Sequence, residues 1–215
     1  MQNGKICRAS FAICTTPFFL AAALVYLLKY KPLMSDLEKC LDYINNNKRE
    51  NSKIINENLI RALVCAEDHR NHIHFGIDPI AITRAFKIKL FNKTSQGAST
   101  IEQQFVRTIT KRYEKTPRRK IREQILAVMI SLKESKRDIS KSYLSCAYYG
   151  TGLIGSSGLM KIKEMNKKLH QEKSIAYLKY PKPEHRNIHH NEKHKRRYLH
   201  IINLLNREPT IMIRK

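Results

Sequence analysis

Tryptophan is absent from the 215 residues, and glycine numbers only seven. With many Lys, Glu, Leu and Ile residues beside these shortages, the composition favours helices over a strand-rich fold. Acid is scarce as well: 18 Asp and Glu stand against 41 Lys and Arg, a formal charge of +23. That imbalance points to an anionic partner, whether nucleic acid, an acidic membrane surface or a phosphorylated substrate. No helix-turn-helix, RNA-binding or finger motif accompanies the charge, so nucleic acid is not the expected partner. The five cysteines (Cys7, Cys14, Cys40, Cys65, Cys146) have no paired spacing and no Cys-x-x-Cys, which excludes a disulfide framework or a cysteine zinc site. No His-Glu-x-x-His occurs, so His72, His74, His189, His190, His194 and His200 do not make a zinc centre by spacing.

What is present begins with an apolar run. Residues 11–28 carry no charge, a length near the lower limit for a helix crossing a bilayer. Lys5 and Arg8 precede it, Lys29 and Lys31 follow it, and Tyr26 and Tyr30 sit where aromatics favour the interface. Ala21, Ala22 and Ala23 fall inside the run rather than beyond it, so a cleavage site is poorly placed and an uncleaved transmembrane anchor is expected. A chain of this length then holds one ordinary domain behind the anchor.

Downstream, Ser35-Asp36-Leu37-Glu38 has the form of a capping box, and Leu37, Leu41 and Ile44 predict a short amphipathic helix. The polar run from Asn45 to Ser52 reads as a linker. The expected organisation is a tail over 1–10, an anchor over 11–28, a linker with one helix over 29–52, and a domain over 53–215. Within the domain, Leu59, Leu63 and Ala66 mark a helix that delivers Glu67 and Asp68 at its end. Ile80 to Phe91 is basic and apolar, suited either to core packing or to a lipid headgroup region. Ser99 or Thr100 opens a further helix; others are predicted over 119–134, from about Asp138 to Tyr148, and around Tyr198 to Leu205. The pattern is all-α.

Four motifs stand in order along this domain. Glu67-Asp68-His69-Arg70 runs on to His74-Phe75-Gly76; Gly97-Ala98-Ser99-Thr100-Ile101-Glu102-Gln103-Gln104 follows; then come Arg119-Lys120-Ile121-Arg122-Glu123 and Tyr143-Leu144-Ser145 leading to Tyr148-Tyr149-Gly150. A carboxylate at the end of an apolar helix, as at Glu67, is partly desolvated and suited to general base catalysis. A glycine-led turn into a Ser/Thr-capped helix offers backbone N–H groups to an anion. Arg119, Lys120 and Glu123 fall within about one helical turn and can face one side, where cations bind phosphate oxygens.

In this order the motifs resemble those of the peptidoglycan glycosyltransferase family, known as the transglycosylase module of class A penicillin-binding proteins and as small monofunctional enzymes. The likeness covers roughly residues 53–205. It implies a lysozyme-like, two-lobed all-α domain behind a single amino-terminal transmembrane helix, in the bacterial cytoplasmic membrane with the domain outside. It implies polymerisation of lipid II into β-1,4 glycan strands with release of undecaprenyl diphosphate, and no transpeptidase domain is evident. Catalysis would fall to Glu67 as base and to Glu123, which would orient Arg119 and Lys120 or help hold a divalent metal. Substrate would be bound by Asp68, His74, Ser99, Thr100, Gln104, Arg107, Lys115, Arg119 and Lys120. Mg²⁺ or Mn²⁺ would sit between diphosphate and carboxylate. Implied partners are lipid II, the nascent strand, membrane lipids and cell-wall synthesis or division proteins. Asn71 stands where the family carries an aromatic, Ala98 replaces a glycine, and Ser145 replaces an asparagine. A glycan hydrolase is the nearest rival chemistry, but a neutral glycan needs no cation clamp. A degenerate member that binds lipid-linked precursor without polymerising it is the other alternative.

Overall fold

The structure, a computed structural model, describes residues 9–49, 54–92, 97–166, 168–185 and 188–207. Lys5 and Arg8 in the expected tail, the last residues of the expected linker and most of the loop expected over 92–97 lie outside them.

The apolar amino-terminal run forms a helical piece over 9–14, a turn at Thr15, and α1 (Thr16–Leu27). Thr15 Oγ1 donates to Phe11 O at 2.8 Å, and Pro17 stands in the first turn of α1, where a missing N–H costs nothing. Among the described residues no single helix is long and apolar enough to cross a membrane; α1 and the next helix together pass by length and composition but meet at 100°. Ala22 and Val25 are buried, whereas Leu20, Leu24 and Leu27 are exposed.

That next helix, α2 (Lys31–Arg49), departs from the sequence reading at both ends. Ser35 lies inside it rather than capping it, and Asn45 to Arg49 continue it rather than forming a linker. The cause is tertiary: Leu33, Leu37, Cys40 and Ile44 form one buried stripe in the common core, and this burial overrides weak local propensity. Asp36 on the same helix accepts from Arg122 Nη2 at 2.6 Å, tying it to a helix 86 residues further along the chain.

Four of the next helices start where a short polar side chain accepts a backbone N–H. Asn56 caps α3 (Glu57–Glu67), Thr100 caps α5 (Ile101–Thr110), Thr116 caps α6 (Pro117–Lys133) and Ser135 caps α7 (Lys136–Cys146). Between them lies α4 (Pro79–Asn92), which exposes Ile80, Phe86, Leu90 and Phe91. The helix expected to reach Tyr148 stops at Cys146, and β1 (Tyr148–Gly150) pairs antiparallel with β2 (Leu153–Ile154). The fold is therefore mostly helical rather than wholly so. Burial explains the hairpin: Tyr149 is fully enclosed, with its hydroxyl donating to Leu144 O at 2.7 Å. Gly150 takes φ +138°, with Lys182 backbone 2.4 Å from where a Cβ would stand.

α8 (Gly155–Met165), α9 (His170–Lys179) and α10 (Ile188–Arg207) complete the described residues. α5 packs against α6 and α7 at the centre of the core, where Phe105 is completely buried, a burial that favours folding by about 1.5–3 kcal/mol. α9 and α10 pack on each other and on α3. Arg61 Nη2 donates to Leu205 O at 3.1 Å and Arg197 Nη2 to Ala66 O at 2.8 Å, so α10 runs antiparallel along α3.

Candidate active site

The end of α3, the turn after it and the start of α5 are joined by buried hydrogen bonds. Asp68 follows the last turn of α3 and is 5% exposed. Its Oδ1 lies 2.9 Å from His74 Nε2, and its Oδ2 accepts from Asn71 Nδ2 at 3.1 Å and from the Ile101 N–H at 3.2 Å. The Gly76 N–H donates to His74 Nδ1 at 3.1 Å, which places the ring proton on Nε2. Burial alone would raise the Asp68 carboxyl, but His74, Lys136 and Asn71 outweigh it and hold the group below its ordinary value. Gly76 has φ +82° and leaves no room for a Cβ, which would sit 2.4 Å from Ala127 O. Thr100 Oγ1 and Gln103 Nε2 both donate to Gly76 O, at 2.8 and 3.1 Å.

These contacts change the expected phosphate seat. The Ile101 N–H belongs to Asp68, and the Gln103 N–H belongs to Thr100 Oγ1 at 3.3 Å. Two of the α5 amides that would cradle an anion are thus engaged within the protein. The cations stand beside this helix end instead. Lys120 Nζ donates to Ser99 Oγ at 2.9 Å and to Gln103 Oε1 at 2.6 Å. Arg107 Nη2 donates to the same Ser99 Oγ at 3.2 Å.

Glu123, 2% exposed, is the hub of this group. Arg107 Nε donates to its Oε1 at 2.8 Å, Arg119 Nη1 also bonds Oε1, and Lys120 Nζ lies 3.5 Å from Oε2. One carboxylate thus orients three cations and leaves the cluster with a positive excess. Burial lowers the Lys120 ammonium below the ordinary lysine value, Arg107 and Arg119 add to this, and Glu123 opposes it.

A cleft of about 600 Å³ opens beside the cluster, lined by Glu67, Ser99, Gln104, Arg107, Arg197 and His200 among others. Glu67 closes α3 and faces this space, but it is not a solitary desolvated carboxylate: Arg197 Nη2 donates to its Oε1 at 2.8 Å. Gln104 Oε1 accepts from the Tyr143 hydroxyl at 2.7 Å, and burial drives that phenol well above its ordinary value.

The structure therefore brings Glu67, Ser99, Gln104 and Arg107 to one cleft and sets Arg119, Lys120 and Glu123 against Ser99 and Arg107. It does not bring in Lys115, which is exposed on the segment between α5 and α6 and is absent from the cleft wall. Asp68, His74 and Thr100 are buried and also absent from that wall, as are Arg119, Lys120 and Glu123. Asp68 and Thr100 edge a small hollow of about 30 Å³. Sequence reasoning missed Gln103 and the pairing of Arg197 with Glu67. Gln103 carries no local signal beyond its place in the Gln-Gln pair, and Arg197 lies 130 residues from its partner.

Two places could be asked to hold a metal. Asp68, His74 and Glu102 are buried, with ligand atoms within 4.8 Å of one another. Their cation is already supplied by Lys136, which bonds Glu102 Oε1 and comes within 3.4 Å of His74 Nδ1. Glu123 has both oxygens facing cations, so a divalent ion does not fit there either.

The family model described as Transglycosylase matches residues 37–205. Curated relatives include penicillin-binding protein 1A of Aquifex aeolicus, 40% identical over 102 residues, which are 47% of this chain and 14% of that protein. Penicillin-binding protein 1A of Vibrio cholerae is 43% identical over 93 residues, 43% of this chain and 11% of that protein. Its counterpart in Escherichia coli is 40% identical over 98 residues, 45% of this chain and 12% of that protein. The matched part thus spans about an eighth of the length of these relatives.

Proposed function

The chain belongs to the transglycosylase family, and from that premise we propose that it is a peptidoglycan glycosyltransferase that extends glycan strands from lipid II at the outer face of the bacterial cytoplasmic membrane. The observation that carries this reading is the cation cluster of Arg107, Arg119 and Lys120, gathered by Glu123, with Arg107 and the Lys120-bonded Ser99 on the wall of the cleft that Glu67 faces. A hydrolase acting on neutral glycan has no use for such a clamp, whereas a lipid-linked donor leaves as a diphosphate.

In this mechanism the growing strand is the donor and the incoming lipid II is the acceptor. The acceptor 4-hydroxyl oxygen attacks the donor anomeric carbon as the bond from that carbon to the diphosphate oxygen breaks. Glu67 takes the hydroxyl proton. Arg107, Arg119 and Lys120 receive the charge that builds on the departing undecaprenyl diphosphate, and the anomeric centre inverts to a β-1,4 link. Mg²⁺ or Mn²⁺, where used, would be carried by the diphosphate rather than by Glu123.

Membrane attachment is part of the proposal. Its support is the uncharged run over 11–28 and the exposed apolar residues of α4, Phe86, Leu90 and Phe91, interleaved with Lys87 and Lys89. The test is incubation of detergent-solubilised full-length protein with labelled lipid II. Glycan ladders are expected, reduced at least about 100-fold by Glu67→Gln, the low end of general base contributions. Polymer formation undiminished in that variant would remove Glu67 as the base. Lipid II bound but never polymerised would favour the degenerate binding protein.

A further inference from the structure

Building on the glycosyltransferase reading, we propose that Arg197 is a positioning residue for Glu67: it anchors one carboxylate oxygen so that the other is the one presented to the acceptor hydroxyl. Arg197 Nη2 donates at 2.8 Å both to Glu67 Oε1 and to Ala66 O. Two acceptors on consecutive residues of α3 leave the guanidinium little freedom, and the paired side chains are only 12% and 17% exposed. The positive group also sits at the carboxyl end of α3, where the helix dipole favours it. Among the described residues Glu67 Oε2 makes no hydrogen bond.

The anchor is mounted on a rigid frame. α10 is fixed to α3 at its other end by Arg61 donating to Leu205 O at 3.1 Å. One turn before Arg197, His194 lies 3.0 Å from Lys173 O through Nε2 and stacks on Tyr177 with ring centroids 3.9 Å apart. A catalytic group held by a side chain that is itself held keeps its geometry between turnovers.

The cleft gives a reason for such a device. Arg84, Arg107 and Lys179 line the same space as Glu67. A free carboxylate on a flexible glutamate would be drawn to whichever cation lay nearest, and a displacement of about 1 Å can cost about 100-fold in rate. Arg197 removes that choice. Oε1 stays with the guanidinium, Oε2 takes the proton from the acceptor, and Glu67 does not compete with the diphosphate for the cations of the cleft.

The test uses the full-length protein in detergent, with lipid II polymerisation and an activity-independent probe of Glu67. R197M should lower kcat at least about 10-fold while KM stays within about twofold, and R197K should recover part of the loss. Added guanidinium should partly rescue R197A. In parallel, a water-soluble carbodiimide with an amine should label Glu67 faster in R197M than in the unaltered chain, read by peptide mass spectrometry, with Glu123 labelling unchanged. Unaltered kcat, a change confined to KM, or equal labelling of Glu67 would overturn the assignment. If the unaltered chain makes no polymer, the glycosyltransferase reading fails, and the labelling ratio in R197M and R197K decides by itself whether Arg197 anchors Glu67.

Discussion

Asn71 Nδ2 donates to Glu102 Oε1 at 3.3 Å, linking two fully enclosed side chains that stand 31 residues apart. The same amide nitrogen serves Asp68, and Lys136 meets Glu102 from the other side. Asn71 stands where the family carries an aromatic, and Glu102 is an acid buried at 0% exposure. Each accounts for the other. An aromatic at position 71 would leave Glu102 and Asp68 short of a donor, and among the described residues Glu102 Oε2 already has no hydrogen-bond partner.

The first prediction is that Asn71→Phe destabilises the fold by at least about 2 kcal/mol, through lost hydrogen bonds to buried carboxylates and overpacking. In a cycle of N71A, E102Q and the double variant, urea melts should give a coupling of about 0.5–3 kcal/mol. Strict additivity would mean that the contact carries no energy of its own.

Gly76 makes a sharper case for a backbone demand. Its φ of +82° disfavours any side chain, and a Cβ would meet Ala127 O at 2.4 Å. Strain of about 1–2 kcal/mol from the left-handed region adds to an overpacking penalty of about 1–3 kcal/mol. Gly76→Ala should therefore lower stability by roughly 2–5 kcal/mol and disturb the Thr100 and Gln103 bonds to Gly76 O. A thermal melt matching the unaltered chain would show that the turn can relax.

Much of this fold was legible in the sequence, for local reasons. Glu67 at the end of α3 follows from the stripe of Leu59 and Leu63 and the break after it. The Thr100 cap and the alignment of Arg119, Lys120 and Glu123 on one turn are equally short-range. What was not legible depended on distant partners. The continuation of α2 through Asn45 rests on burial of Cys40 and Ile44 against the rest of the core, and the hairpin after Cys146 rests on the pocket that encloses Tyr149. The Asp68 contact that occupies the Ile101 amide of the expected phosphate seat, and Arg197 beside Glu67, come from pairings across 33 and 130 residues. Periodicity carries no record of such pairings.

Asp68 should shape the acid limb of stability. Its folded-state pKa lies below the unfolded value near 3.8, so its contribution is fully present above that value and is lost as pH falls through the folded one. Asp68→Asn should thus cost stability at pH 6, with a gap from the unaltered chain that narrows once the pH drops below about 4. Urea midpoints for both proteins at pH 6 and pH 3.5 would measure it. A gap that stays constant would assign the cost to the lost His74 geometry rather than to the charge.

Lys120 gives the corresponding test on the basic side. Burial, aided by Arg107 and Arg119, lowers its pKa below the ordinary 10.5 despite the pull of Glu123. Its proton is therefore lost at a lower pH than that of a solvated lysine, while the neighbouring guanidinium groups remain charged. If the ammonium binds the departing diphosphate, affinity for inorganic pyrophosphate should fall between neutral pH and 10. Lys120→Arg should abolish most of that fall, because arginine does not titrate in this range. Lys120→Met should weaken binding about 10-fold or more at neutral pH, the scale of a charged hydrogen bond worth about 1.5–3 kcal/mol. Calorimetric titrations with pyrophosphate from pH 7 to pH 10 would read both effects. A flat profile shared by the unaltered chain and Lys120→Arg would place the diphosphate on Arg107 and Arg119 alone and leave Lys120 to hold Ser99 and Gln103 in place.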